Sequence, residues 1–269
     1  MGNAKGQGDD RVTDEPQPPW WREPKRRTAR QPLTREAIVD AAVRILDDEG
    51  ADALTVRRLA QELDTGAATL YWHISGKEEL CELVYDRIMG EIELPETDSS
   101  RWEDQIKDLA RQGYRVMLSH NDAVKLSIGK APAGPNMLRI IEWLLGALRG
   151  ADVPDHVAAY FGDLLGRYID GSVLEDTGGS GPVTETAGLS ATVTKGSVKG
   201  SGKDKSGQDR TPFDGIAMMH DYMAGLPPDR FPNLISMVDV LFRGDSNDRF
   251  ELGLDILIRG MSTYIPTKK

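Results

Sequence analysis

Residues 33–84 read LTREAIVDAAVRILDDEGADALTVRRLAQELDTGAATLYWHISGKEELCELV, and this stretch decides the fold. Its apolar positions Ile38, Ala41, Ala42, Ile45 and Leu46 recur at i, i+3, i+4, i+7 and i+8, the spacing of one helix face. Thr34 offers an N-cap oxygen and Gly50 a stop, so one helix spans the run. Val56, Leu59, Ala60 and Leu63 repeat the pattern behind Thr55 and predict a second, shorter helix. Asp64-Thr65-Gly66 breaks it, and a third short segment follows over Ala67–His73. Ser75-Gly76-Lys77-Glu78 reads as a capping box that opens a fourth helix, running to about Glu93 before Pro95.

Two short helices around a tight turn suggest a helix-turn-helix whose third helix enters a DNA major groove. Ala67 and Ala68 are small enough to bring that helix close to base edges and thymine methyls, while Thr69, Tyr71, Trp72 and His73 supply polar groups to DNA. Leu70 reads as core. Lys77, in the first turn of the next helix, is placed to meet a phosphate.

Beyond residue 94 the same helical grammar continues. Ser100-Arg101-Trp102-Glu103 reads as another capping box, opening a helix to about His120. Further helices are predicted near 122–130, 135–149, 154–176, 213–225, 230–243 and 246–264, with no persistent strand alternation, so the fold class is all-α. Phe250, Leu254, Leu257, Ile258 and Met261 form one face of the last helix. Between Thr177 and Pro212 lie 8 Gly, 5 Ser and 6 Thr, which predicts a flexible loop interrupting the helices. At the other end, five prolines, Pro16, Pro18, Pro19, Pro24 and Pro32, keep residues 1–32 out of helix.

The chain has 269 residues, with 33 Lys+Arg against 43 Asp+Glu and a net charge of −10, which excludes a wholly basic nucleic-acid coat. The charge is unevenly spread. Trp20–Arg35 carries Arg22, Lys25, Arg26, Arg27, Arg30 and Arg35 against Glu23 alone, whereas the acidic surplus lies in the leader and beyond Glu91. Such an arm reads either as a solvated linker or as a DNA contact through Lys25, Arg26, Arg27 and Arg30, following the backbone or entering a narrow minor groove. One cysteine, Cys81, precludes an internal disulfide, and with His73, His120, His156 and His220 scattered it predicts no metal cluster. His120, His156 and His220 read as capping, surface or satisfied core residues. The apolar run Ile140–Leu148 is interrupted by Glu142 and is far short of a membrane span, and Met1–Pro19 is polar and acidic, unlike a signal peptide. The expectation is a cytoplasmic protein with no membrane partner, no cofactor and no catalytic Ser/His/Asp, Cys/His or phosphate-loop constellation.

The stretch quoted above resembles the DNA-binding domain of the tetracycline-repressor family, most specifically in TLYWH at 69–73 followed by Lys77. The resemblance extends through LSHNDAVKLSIG at 118–129, GSVLED at 171–176 and RFELGLDILIRGM at 249–261. It implies three parts: a flexible extension with a basic arm (1–32), a three-helix DNA-binding domain (33–94), and a helical ligand-binding and dimerisation domain (95–269) holding the flexible loop 177–212. It implies a homodimer on a palindromic double-stranded operator. Arg57 would reach a guanine edge, Thr55 and Lys77 would hold phosphates, and Thr69, Tyr71, Trp72 and His73 would contact bases or backbone. Arg58 points elsewhere on its helix. The helices around Ala158–Leu174 and Asp248–Tyr264 would build the dimer's four-helix bundle.

The pocket departs from that of the parent repressor. Ser127 stands at the position of its metal-binding His, Leu109 and Gly113 at its drug-contacting Asn and Phe, Lys130 at its Thr and Trp143 at its Gln, while Glu175 keeps an acidic counterpart. Without the imidazole ligand and the polar clamps, the resemblance implies a metal-free inducer other than magnesium–tetracycline. Tyr114, Met117, Trp143 and Phe161 read either as core or as the lining of a larger pocket for an aromatic or polycyclic small molecule. The expectation is a ligand-released repressor. The alternative is a ligand-independent activator or architectural DNA-binding protein.

Overall fold

In the computed structural model the residues described are 33–128, 133–177, 212–243 and 245–266. The basic arm residues Lys25, Arg26, Arg27 and Arg30, the Gly/Ser/Thr segment between residues 177 and 212, and Lys130 lie outside them. Helices are the only regular structure among the described residues: α1 (Arg35–Glu49), α2 (Val56–Glu62), α3 (Ala67–Leu70), α4 (Lys77–Met89), α5 (Trp102–Ser119), α6 (Val124–Ser127), α7 (Pro135–Gly150), α8 (Asp155–Asp176), α9 (Pro212–Ala224), α10 (Pro232–Leu241) and α11 (Ser246–Ser262), with a 3-10 turn at Ala51–Ala53.

The first helix forms where its periodicity requires. Thr34 Oγ1 accepts from the Ala37 amide at 3.1 Å, and Ile38, Ala41, Ala42, Ile45 and Leu46 are all buried. Gly50 closes it at φ 84°, donating its N–H to the Leu46 carbonyl at 2.8 Å. A side chain there would meet both the left-handed backbone and Asp122, whose Oδ2 would lie 2.8 Å from the added Cβ.

α1 packs on α2 and α4, and α2 on α3, around Leu54, Leu59, Leu70, Ile74, Leu80 and Val84. The turn between α2 and α3 reverses through Asp64, at φ 46°, with the Thr65 amide donating back to the Ala60 carbonyl at 2.9 Å.

Two predicted capping boxes close differently. α4 starts after Gly76, and Glu79 rather than Glu78 reaches back, accepting from the Ser75 amide and hydroxyl at 2.7 Å each. With Gly76 rather than Ser75 as the N-cap residue, the helix begins one residue later and the returning carboxylate shifts by one position. Ser100 does not cap α5; its hydroxyl donates to Asp98 at 2.7 Å, and Arg101 is the N-cap residue. α4 also stops at Met89, with Gly90 as its C-cap, short of Glu93.

The body is centred on α8, which packs against α5, α6, α7 and α11. Phe250 of α11 stacks between Tyr114 of α5 (ring centroids 4.4 Å apart) and Tyr168 of α8 (5.5 Å), and the Tyr168 hydroxyl donates to the Phe250 carbonyl at 2.8 Å. Outside this core, Arg111 of α5 grips both carboxylate oxygens of Glu251 at 2.7 Å, and Lys107 meets Asp255 at 2.8 Å. α5 and α11 are therefore held by charge as well as by ring stacking. No described helix is long and apolar enough to cross a membrane.

Candidate DNA interface and ligand cavity

At the surface made by α2 and α3, burial separates the two roles the sequence mixes. Leu70 is fully buried, whereas the neighbouring Tyr71 and Trp72 are 58% and 88% exposed. An indole so exposed contributes almost nothing to packing; its apolar area faces water and is available to a partner. Ala68, Thr69 and Lys77 are exposed beside it, and Ala67 and His73 are half-buried.

On α2, two successive arginines have opposite states. Arg58 donates through Nε and Nη2 to Glu49 Oε1 (2.9 and 2.6 Å) and through Nη2 to Glu62 Oε2 (2.9 Å). Those bonds raise its already high pKa and lower that of Glu49. Arg57 is exposed and makes no ion pair among the described residues. Thr55 caps α2, its Oγ1 accepting from the Arg58 amide at 3.1 Å, which leaves the hydroxyl proton for another acceptor.

A cavity of about 940 Å³ lies among α4, α5, α6, α7 and α8. Its wall is mainly aliphatic, with Leu109, Met117, Ile140 and Leu144 among its residues, and Gly113 and Ser127 also line it. Tyr114, Trp143, Phe161 and Glu175, expected at the ligand, are not among the lining residues. Tyr114 stacks on Phe250 and donates to Asp176, Trp143 Nε1 donates to the Pro95 carbonyl at 2.6 Å, and Phe161 is core.

The polar content of the cavity is concentrated in a few groups. Ser127 Oγ lies 2.9 Å from both the Val124 carbonyl oxygen and Asp170 Oδ2, within hydrogen-bond distance of each. Burial pushes the Asp170 carboxyl above its ordinary pKa, against the Ser127 bond, and pushes the Tyr85 phenol up as well, with the charge of Asp170 adding to it. Among the described residues no group of three or more His, Cys, Asp or Glu is arranged to hold a metal.

The two regions are joined by contacts that sequence reasoning missed. Asp86, buried on α4, caps α7 across the fold: its Oδ1 accepts from the Asn136 and Met137 amides at 3.0 Å each, and its Oδ2 from the Asn136 side chain at 3.1 Å. Gly134 makes this approach feasible, since a Cβ there would lie 2.2 Å from Asp86 Oδ1. The available signal was the Gly134-Pro135 start of α7, which has no acceptor side chain of its own. His120 lies between Asp47 of α1 (Nδ1–Oδ1 2.9 Å) and Glu91 just after α4 (Nε2–Oε2 3.3 Å), and Asp122 Oδ2 accepts from the Ala51 amide at 3.2 Å.

A buried three-helix unit displaying an exposed third helix, set on a helical body with an apolar cavity, defines a helix-turn-helix DNA-binding regulator. Comparison with known proteins agrees. The family of bacterial tetR regulatory proteins matches residues 38–84, and the tetracyclin repressor-like C-terminal domain matches residues 94–265. The chain belongs to the TetR family.

Among relatives, an HTH-type transcriptional regulator of Saccharopolyspora erythraea is 35% identical over 158 residues, 59% of this chain and 67% of its own. The HTH-type transcriptional repressor DrrR1 of Streptomyces coeruleorubidus is 31% identical over 153 residues, 55% of this chain and 56% of its own. Among solved structures, apo ActR of Streptomyces coelicolor is 36% identical, covering 88% of this chain and 98% of its own with a TM-score of 0.72. ActR has also been solved in complex with actinorhodin, where the TM-score is 0.70 and the coverage 86% of this chain and 96% of that one.

Proposed function

We propose that this chain is a cytoplasmic, ligand-released transcriptional repressor. It binds a palindromic operator as a homodimer, with two α3 helices in major grooves one DNA turn apart, roughly 34–36 Å. Arg57 reads a guanine edge, Thr55 and Lys77 hold phosphates, and Ala67, Ala68, Thr69, Tyr71, Trp72 and His73 form the remaining contact surface. The inducer is an aromatic or polycyclic molecule other than magnesium–tetracycline, and it occupies the cavity lined by Leu109, Gly113, Met117 and Ser127.

One observation carries the reading. α4 begins at Lys77, five residues after the exposed Trp72, and its later residues Tyr85 and Met89 line the cavity. Thirteen residues of helix, about 20 Å at 1.5 Å per residue, thus connect the DNA surface to the ligand site. A ligand that favours a different setting of α4 alters the spacing of the two recognition helices, and DNA and ligand then weaken each other's binding by the same factor. The ActR–actinorhodin complex supports a small-molecule ligand, and the similarity to the transcriptional repressor DrrR1 supports repression.

Selection of bound sequences from a random duplex pool tests the first half. A palindrome is expected; the absence of any enriched sequence overturns the reading. Titration of the selected complex with polycyclic compounds, actinorhodin included, tests the second half. Release is expected with at least one of them and not with magnesium–tetracycline, whereas indifference to every compound favours a ligand-independent regulator.

A further inference from the structure

Of the residues lining the cavity, the charged ones are Asp163, Arg167 and Asp170, and Tyr85 is a further titratable group there. Arg167 pairs with Asp163 at 3.0 Å, and both are largely exposed, so this pair marks the solvent side. Asp170 has no basic partner among the described residues, and its Oδ2 lies 2.9 Å from the Ser127 hydroxyl. Tyr85, 9% exposed, makes no hydrogen bond among the described residues, and its hydroxyl is not among the fully enclosed unpaired atoms. A buried phenol donor and the second oxygen of a half-buried carboxyl are thus both available to whatever fills the cavity.

The Ser127 hydroxyl is shared between that carboxyl and the backbone. It lies 2.9 Å from both the Val124 carbonyl and Asp170 Oδ2. A hydroxyl has one proton, so both contacts are full hydrogen bonds only when Asp170 supplies the second proton and donates through Oδ2 to Ser127. Partial burial with no basic partner among the described residues favours the same neutral form and raises the Asp170 pKa, against the Ser127 bond. Oδ1 is then a carbonyl acceptor.

We propose that Asp170 and Tyr85 form the specificity-determining pair of the cavity and select an uncharged polycycle carrying a hydroxyl beside a carbonyl, the hydroxyl donating to Asp170 and the carbonyl accepting from Tyr85. Anions are rejected because, among the described residues, the one cation lining the cavity, Arg167, is already paired with Asp163. Cationic amines gain no ion pair from a neutral carboxyl. This inference rests on the cavity being the inducer site.

Binding of three-ring probes to the full chain, measured by calorimetry, tests it. 1,8-Dihydroxyanthraquinone, which places hydroxyl and carbonyl oxygens on neighbouring positions, is expected to bind at least tenfold more tightly than unsubstituted anthraquinone, with anthraquinone-2-carboxylate and cationic 9-aminoacridine weaker still. Asp170→Asn keeps an acceptor of the same shape without a charge and should retain the preference within about threefold. Asp170→Leu and Tyr85→Phe should each abolish most of it, with helical content and melting checked by circular dichroism so that misfolding is recognised. Tightest binding by 9-aminoacridine, lost in Asp170→Asn, would show an ionised Asp170 and overturn the proposal. Equal binding of the two neutral quinones overturns the selectivity and leaves the cavity as the inducer site; failure of every probe to bind overturns both.

Discussion

Arg57 and Arg58 are adjacent and chemically identical, and the fold gives them different tasks. Two glutamates engage Arg58, whereas Arg57 is left exposed. A bidentate arginine–guanine contact is worth about 1–3 kcal/mol of discrimination. Arg57→Ala should therefore lose roughly ten- to hundredfold in operator affinity with an unchanged melting temperature. Arg58→Ala should lower the melting temperature slightly, since partly exposed ion pairs contribute up to about 1 kcal/mol, and leave base preference intact. Fluorescence anisotropy on the selected duplex, paired with thermal melts, separates the two; the reverse pattern would exchange their roles. Much of this surface is legible in sequence because it is local: Leu70 and the caps Thr34 and Thr55 follow from spacing within one or two turns. Asp86 and Asp170 were not legible, because their partners lie 50 and 43 residues away in sequence. For the same reason the sequence leaves Tyr114 and Trp143 open between core and pocket, whereas in the packed helices each turns to a partner outside the cavity.

Among the elements, α7 depends on a cap from another helix. Asp86→Ala would leave the Asn136 and Met137 amides without their acceptor, and an unmade buried bond costs about 1–3 kcal/mol. Gly134→Ala should destabilise the protein by a similar route, since its methyl and the Asp86 carboxylate occupy the same space. Urea unfolding of both variants checks this; wild-type midpoints would remove the cap from the account. The α5–α11 clamp adds a pH dependence. Arg111, followed by smaller effects of Lys107, holds Glu251 below its ordinary pKa of 4.5, so its contribution is present above that value and is lost as pH falls through the depressed one. Glu251→Gln should flatten the acid limb of the stability profile and leave its slope above pH 6 unchanged. Asp170 has the opposite sign: its pKa is raised, so its contribution is complete below the ordinary 3.8 and declines as pH rises through the folded value.

At the level of the whole molecule, α8 and α11 each bury one face and leave a second apolar face open. Tyr160 and Leu164 on α8, and Leu252, Ile256 and Tyr264 at α11, are exposed large hydrophobics, with Leu252 and Ile256 one turn apart. These faces suit a bundle with a second copy of the chain. Ile256→Glu should yield a monomer by light scattering and lose at least a hundredfold in operator affinity; a dimeric Ile256→Glu protein would place the interface elsewhere. The charge of −10 per chain has a further effect at this scale. An acidic body disfavours non-specific DNA, so in the proposed complex discrimination would rest on the small basic and aromatic surface around Arg57 and Trp72.

That surface has an optical consequence. Because Trp72 stands almost wholly in water, its emission belongs to the red edge of the protein's spectrum, whereas Trp143, half-buried with its N–H on the Pro95 carbonyl, has a drier environment. Covering Trp72 with a duplex removes water from the exposed indole and leaves the Trp143 site untouched. If α3 binds the operator as proposed, the difference spectrum between the wild type and Trp72→Phe would report operator occupancy without any attached dye, and the DNA-reading end of the molecule would serve as its own sensor of release.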